Sequence, residues 1–209
     1  MNDQSLPDVS PTSLADLVEE SRVMDTGIRP LWHGMPRVSG PAYAVTCAPG
    51  DNLMMHAAIY RAEPGSVIVV DSGGSPLAVA GGNVCAVAQK RGIAAFVVDG
   101  NIRDLQEARE LGFPVFARGV FPKPGGKKHV LPSGEAVVGG VRVRTGDLVV
   151  ADEEGIVVLD AAESGRLLDA AARRENGESG QSLTEWEAAH RAKIEAGLAA
   201  GGDSGGLPA

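Results

Sequence analysis

The chain has 209 residues, enough for one domain with a sizeable core, and it is rich in Ala, Val and Gly but poor in aromatics. A formal net charge of −8 argues against nucleic acid as the main partner, and two cysteines make no disulfide framework. No apolar run approaches the ~18–20 residues that span a bilayer, and the polar, acidic start carries no signal-peptide pattern. The expectation is therefore a cytoplasmic protein with reduced thiols and no membrane partner.

In chain order, Met1 to Pro11 reads as a loose leader and Ser13 to Val23 as a short helix. Ile28 to Met35 is an irregular Pro/Trp segment, and Val38 to Cys47 is a strand interrupted by Pro41. Pro49-Gly50-Asp51-Asn52 is a turn in which Asp51 or Asn52 can cap a helix over Leu53 to Arg61. Ser66 to Val70 is a fully apolar strand ending at Asp71. After the Gly73-Gly74 turn come a helix from Asn83, a buried strand from Ala94 to Val98, a helix from Asp104 to Leu111 and a short strand from Phe113 to Ala117.

Pro122 to Pro132 is a Gly/Pro/Lys loop whose Lys123, Lys127 and Lys128 read as solvated. Val137 to Val143, Leu148 to Ala151 and Ile156 to Leu159 read as strands, and Ala161 to Glu175 and Leu183 to Leu198 as helices. Strand–helix alternation in the first half predicts parallel pairing, while the closely spaced strands that follow predict a mixed sheet or a stacked β layer. The expected organisation is a leader with a short helix (1–27), an α/β core (28–160), C-terminal helices (161–200) read as a solvated face with a subunit contact as the alternative, and a disordered tail (201–209).

One run stands out for chemistry. Twenty residues separate Gly82 from Arg103, and Asp104 and Glu107 follow. Asp71, Asp99 and Asp104 lie at or just past strand ends, where ligands gather in open α/β sheets. Gly73, Gly74, Gly81, Gly82 and Gly100 allow backbone to approach a ligand closely. The Asn83 and Val84 amides opening a helix suit a carboxylate. Asp104 and Glu107, three apart on one helical face, can both aim at one hard divalent ion such as Mg²⁺ or Mn²⁺.

Simpler readings stand beside these. Asp104-Leu105-Gln106-Glu107 also spells a capping box. Asp99 suits a turn, Cys85 a buried filler and His56 a packed histidine. His33, His129 and His190 have no metal spacing. No Gly-x-Gly-x-x-Gly fingerprint opens a helix, and no Gly-x-Ser-x-Gly elbow exists.

Several runs occur together: Ile28-Arg29-Pro30-Leu31-Trp32, Pro49-Gly50-Asp51-Asn52-Leu53, Val98-Asp99-Gly100-Asn101-Ile102-Arg103-Asp104, Pro114-Val115-Phe116-Ala117-Arg118-Gly119 and Gly146-Asp147-Leu148-Val149-Val150-Ala151-Asp152. In this order they resemble the RraA-like family, which includes the metal-dependent 4-hydroxy-4-methyl-2-oxoglutarate/4-carboxy-4-hydroxy-2-oxoadipate aldolases. The resemblance covers about Ile28 to Leu159. It implies a single-domain, layered α/β/β/α sandwich with a mixed sheet, swivelling-domain-like, assembled as a homotrimer or hexamer.

Family members commonly carry an Asp twenty residues before the Arg-Asp pair. This chain has Gly82 there and resembles the variant in which an acid, here Glu107, follows three residues after Asp104. The resemblance implies a lyase releasing pyruvate from small 2-oxo diacids, with oxaloacetate decarboxylation as a side activity. It implies that Arg103 grips substrate oxygens and that Asp104 and Glu107 serve the metal. Backbone near Gly82, Asn83, Val84 and Cys85 would bind the pyruvyl carboxylate, with Asn52 near the pocket mouth. A C-terminal glutamate of a neighbouring subunit would complete the site, Glu187 being the positional match and Glu175 and Glu185 its competitors. The same resemblance admits a second class, a non-catalytic regulator binding a ribonuclease E-like partner.

Overall fold

A computed structural model of the chain describes residues 8–178 and 182–202. They fall in two compact units, residues 1–172 and 173–209. The first unit contains α1 (Pro11–Ala15), β1 (Arg29–Pro30), β2 (Val38–Thr46), α2 (Leu53–Arg61), β3 (Val67–Asp71), β4 (Ala78–Ala80) and α3 (Gly82–Lys90). It continues through β5 (Ala95–Ile102), α4 (Leu105–Glu110), β6 (Val115–Val120), β7 (Glu135–Val138), β8 (Val141–Arg144), β9 (Leu148–Asp152) and β10 (Gly155–Leu159). Helix α5 (Ser164–Glu178) runs out of the first unit, and α6 (Leu183–Ala200) lies in the second. Among the described residues no helix is long and apolar enough to cross a membrane.

The main sheet has the order β1-β6-β5-β3-β2-β9-β10, with β4 pairing β5 off that path. The pairs among β2, β3, β5 and β6 are parallel, whereas β1–β6, β2–β9 and β9–β10 are antiparallel. Pro41 marks the change of partner in β2: Val38 to Pro41 face β9 and Ala42 to Thr46 face β3. A proline cannot donate to a ladder, so it is tolerated where one ladder gives way to another.

The apolar run of β3 is buried on both faces. Ile68 and Val70 pack with Met55, Ala58, Cys85, Ala88 and Ala108 of the helices α2, α3 and α4. Val67 and Val69 face the opposite way, onto Ala136, Val138, Val141 and Val143 of the β7–β8 hairpin. Val149, Ala151, Ile156 and Val158 of β9–β10 join that inner cluster. The alternate residues Leu148, Val150, Val157 and Leu159 bury Leu14 of α1 and Leu167, Leu168 and Ala171 of α5. The result is the four-layer α/β/β/α sandwich with a mixed sheet. Each buried large aliphatic or aromatic side chain contributes roughly 1.5–3 kcal/mol.

Three local expectations change. Val137 to Val143 is two strands, not one, because Gly139 (φ 56°) and Gly140 (φ 78°) form the positive-φ turn that a two-residue hairpin requires. The N-terminal helix starts at Pro11, where the Ser10 side chain accepts the Ser13 N–H (3.1 Å), and it ends by Ala15. A separate 3-10 turn covers Glu20–Arg22. The leader is docked from Val9, which is buried. Strand β4, three residues long, lies below the length at which alternation is readable.

Candidate functional site

Strand β5 outlasts β3. It pairs with β3 as far as Asp99, then shifts register and continues beside β4 through Ile102. The Arg103 N–H donates to the Ala80 carbonyl (2.9 Å), which sets Arg103 and Asp104 beside the first turn of α3. A bulge of this kind re-aims the residues that follow it.

Asp104 has φ 55° and ψ 43°, the one non-glycine residue with positive φ among those described. Such a conformation costs about 1–2 kcal/mol. Although Asp104 occupies the N-cap position of α4, its side chain caps nothing there, and the capping box is not formed. The carboxylate turns instead to the first turn of α3, where Oδ2 accepts the Gly82 N–H (3.2 Å) and lies 3.3 Å from Arg103 Nε. Strain of this sort persists where surrounding structure over-determines it, and it concentrates at functional sites.

The glycine pair is dictated by close approach. A Cβ on Gly81 would lie 2.5 Å from Asp104 Oδ2 and 3.0 Å from Arg103 Cγ. A Cβ on Gly82 would lie 1.8 Å from Glu107 Oε2. The Glu107 carboxylate therefore fills the volume that a side chain at 82 would need. Both acids converge on the same two residues of backbone.

In front of them is a cavity of about 120 Å³, room for several waters or a small organic acid. Ala78 and Ala80 of β4, Gly81, Asn83 and Val84 at the head of α3, and Arg103 with Asp104 form one side. Asn52, the N-cap of α2, His56 one turn further on, and Pro124 and Lys127 of the long loop complete it. The Val84 and Cys85 N–H groups are spent on the Gly81 carbonyl (3.0 Å each) and the Gly82 N–H on Asp104. Among the described residues, Asn83 N–H is an amide at the head of α3 left for a ligand.

Asn52 is buried. Its Nδ2 donates to the Gly125 carbonyl (3.4 Å), while Oδ1 has no hydrogen-bond partner among the described residues. An unsatisfied buried acceptor costs about 1–3 kcal/mol. Burial, then the positive charges of Lys127 and Arg103, pull the His56 pKa below its ordinary value, so the imidazole is neutral at pH 7.

Sequence reasoning placed Asn52, Asn83, Val84, Arg103 and Asp104 at the site, and all of them line the cavity. Gly82 and Glu107 sit immediately behind Asp104. Cys85 is fully buried in the helical core, and burial pushes its thiol up to about 12, so its side chain is a filler. Asp71 and Asp99 do not join Asp104. Asp71 accepts the Gly73 N–H (2.8 Å). Asp99 is taken by Arg118 and by the Gly139 N–H (2.8 Å), and Arg118 also binds Asp25 (2.8 Å). Glu187 stands exposed on α6 in the second unit. Glu185 is occupied in a capping box with Ser182, and Glu175 lies in α5.

Among the polar lining residues, His56 and Lys127 were not assigned to the site by the sequence reading. The i, i+4 spacing of Asn52 and His56 was a usable signal, because it puts both on one face of α2. Lys127 gave none, since its loop meets the cavity only through contacts far away in sequence.

Among the described residues no three His, Cys, Asp or Glu side chains cluster in a metal-binding arrangement. A hard ion of the Mg²⁺ kind needs only one or two carboxylates, with water and ligand oxygens completing its shell. Asp104 and Glu107 fit that donor set. The cysteines do not, being buried with thiol pKa values pushed up to about 11 (Cys47) and 12 (Cys85).

Known proteins reproduce both sequence and shape. Residues 7–158 match the family model RraA-like, described as Aldolase/RraA. A Halalkalibacterium halodurans protein, provisionally named 4-hydroxy-4-methyl-2-oxoglutarate aldolase, is 37% identical over 166 residues, covering 78% of this chain and 79% of that one. A Burkholderia mallei protein of the same provisional name is 36% identical over 143 residues, 68% of this chain and 86% of the other. The crystal structure of Streptomyces coelicolor RraAS2, described as an unusual member of the RNase ES inhibitor RraA protein family, superposes with a TM-score of 0.72 at 30% identity, covering 82% of this chain and 91% of that one. The match runs through the strand ends, the Gly81-Gly82 turn and the Arg103-Asp104 pair just described, so the chain belongs to the RraA-like (Aldolase/RraA) family.

Proposed function

We propose that this protein is a divalent-metal-dependent carbon–carbon lyase that cleaves 4-hydroxy-2-oxo diacids to pyruvate and a second oxo-acid. The observation that carries the reading is the Asp104 carboxylate, held in a strained backbone conformation against Arg103 and the Gly82 amide at the rim of a small polar cavity. The provisional names of the relatives agree with it.

In the reaction the 4-hydroxyl loses its proton and the C3–C4 bond breaks. C4 becomes a carbonyl, and the electron pair is left as the pyruvate enolate until C3 is protonated. The barrier is the charge developing on the 2-oxo oxygen. The Arg103 guanidinium, planar and always charged, offers two donors to that oxygen and its neighbouring carboxylate. Asn83 N–H would bind the carboxylate end. Such donors are in place before the charge appears, which is where binding accelerates chemistry. Asp104 and Glu107 would hold Mg²⁺ or Mn²⁺, which supplies Lewis-acid polarisation of the 2-oxo group. Glu187, supplied by a neighbouring copy in a trimer or hexamer, would take the hydroxyl proton through water. Oxaloacetate loses CO₂ through the same enolate, so decarboxylation belongs to the same site.

The test is pyruvate release from 4-hydroxy-4-methyl-2-oxoglutarate and from oxaloacetate by purified protein stripped with EDTA, then resupplied with Mn²⁺. Activity should vanish and return, and Arg103→Ala should lose on the order of 10²-fold or more in kcat. Metal-independent turnover, or an Arg103→Ala variant as active as wild type, overturns the mechanism.

The likeness to RraAS2 favours a second reading, a regulator that binds a ribonuclease E-like partner without catalysis. Pull-down with such a ribonuclease, run beside the pyruvate assay, separates the two.

A further inference from the structure

The loop between β6 and β7 carries Lys127 to the cavity, and the residues on both sides of Lys127 are tied to one short turn. Gly126 N–H donates to the Gly50 carbonyl (2.8 Å), and Asn52 N–H donates to the Gly126 carbonyl (2.7 Å). On the other side, the Lys128 N–H donates to Asp51 Oδ2 (2.6 Å). The same oxygen takes the His129 N–H (3.3 Å) and lies 3.3 Å from His129 Nδ1. Asp51 Oδ1 accepts the Leu53 N–H (2.8 Å) at the start of α2.

The Asp51 carboxylate is buried. Burial alone would raise its pKa, but the Leu53 and Lys128 amides and His129 hold it below the usual carboxylate range. It is thus an ionised group whose lone pairs join two segments more than 70 residues apart in sequence. Gly125 lets the loop come this close, since a Cβ there would lie 2.9 Å from the Gly50 carbonyl oxygen.

The charge lining the cavity is unbalanced. Arg103 is matched by Asp104 at 3.3 Å. Lys127 has no carboxylate within ion-pair reach among the described residues, and His56 is neutral. Among the charged side chains on the wall, Arg103 and Lys127 stand against Asp104 alone, with the Glu107 carboxylate behind Gly82 rather than on the wall.

We propose that Asp51 is a positioning residue, whose buried carboxylate fixes Lys127 at the cavity wall to receive the second carboxylate of a dicarboxylic 2-oxo acid. The inference rests on the reading of the cavity as an oxo-acid site and adds which residues select for the second acid group. Asp51 itself touches no ligand. It acts by holding the flanking backbone, so that the lysine enters the cavity without an entropic search.

The test compares affinities for pyruvate and for 2-oxoglutarate, which has a second carboxylate but neither the 4-hydroxyl nor the β-carboxylate needed to react. Titration calorimetry in Mn²⁺ buffer on wild type, Lys127→Met, Asp51→Asn and the double variant gives the ratio of the two dissociation constants. Wild type should prefer 2-oxoglutarate. Lys127→Met should lose on the order of tenfold of that preference, as for a lost hydrogen bond to a charged group. Asp51→Asn should lose a similar factor with pyruvate affinity unchanged, and the double variant should lose no more than either alone. Should Asp51→Asn fail to fold, Asp51→Ser retains an acceptor for Leu53 but cannot reach Lys128, and the same loss is expected.

Equal wild-type affinity for both acids overturns the inference. So does an Asp51 variant that keeps the preference, or one that loses pyruvate and 2-oxoglutarate binding equally. Turnover is scored separately: absent pyruvate release with the binding preference intact sinks the lyase reading alone.

Discussion

A methyl group added at Gly82 probes the central packing of the site. In Gly82→Ala the new Cβ would sit 1.8 Å from Glu107 Oε2, 2.6 Å from Cδ and 2.8 Å from Cβ. The carboxylate end can swing away by rotation. Cβ of Glu107 belongs to α4, so the 2.8 Å contact is relieved only when α3 and α4 separate by several tenths of an ångström. Overpacking of this kind costs about 1–3 kcal/mol. Exchanging a helical glycine for alanine returns about 0.5–1 kcal/mol. The net expectation is a loss of about 1–2 kcal/mol, measured as a lower urea midpoint at unchanged slope.

A double-mutant cycle isolates the carboxylate's share. Glu107→Ala removes the Oε2 and Cδ clashes but leaves the Cβ contact, so Gly82→Ala/Glu107→Ala should cost about 1 kcal/mol less than the two single losses added. Independent sites add to within about 0.5 kcal/mol. Additivity at that level would refute the claim that Glu107 occupies the space beside Gly82. Pyruvate release by Gly82→Ala should fall with stability, because Glu107 is pushed off the position it shares with Asp104.

Other consequences follow from the same geometry. The depressed Asp51 pKa stabilises the fold above the unfolded carboxylate value of about 3.9, and the gain disappears as pH falls through the lower folded value. Urea midpoints of wild type and Asp51→Asn should therefore differ at pH 7, begin to approach one another below about pH 3.9, and converge only once pH has passed below the lowered folded value. Cys47 and Cys85, buried with thiol pKa values pushed up to about 11 and 12, should resist a disulfide reagent at pH 8 until denaturant is added. Rapid native labelling would contradict their burial. Glu187→Gln should lower kcat on the order of 10²–10⁴-fold if Glu187 handles the proton, with little change in melting because it is exposed. Unchanged kcat would remove it from the mechanism.

What the sequence determined alone was the local machinery. The Pro49-Gly50-Asp51-Asn52 turn announced α2 with its observed ends, Leu53 and Arg61. The Ser66-to-Val70 run announced a strand, observed as Val67–Asp71 and covered on both sides. The Gly81-Gly82 turn and the Arg103-Asp104 pair were legible as neighbours to be, and the fold sets Gly81, Arg103 and Asp104 at one cavity. These features are written in adjacent residues, because turn chemistry and hydrophobic period are properties of a few consecutive positions. Tertiary structure decided which local options were used. Asp104 offers the same side chain to a capping box and to the Gly82 amide, and only the register of β5 beside β4 selects the second. Asp71 and Asp99 match Asp104 in sequence position at strand ends, yet Gly73 and Arg118 claim them first. Lys127 reads as one more solvated lysine until Asp51, 77 residues away from Lys128, draws its loop to the cavity. Contacts at that separation depend on how the whole chain closes, and no local pattern records it.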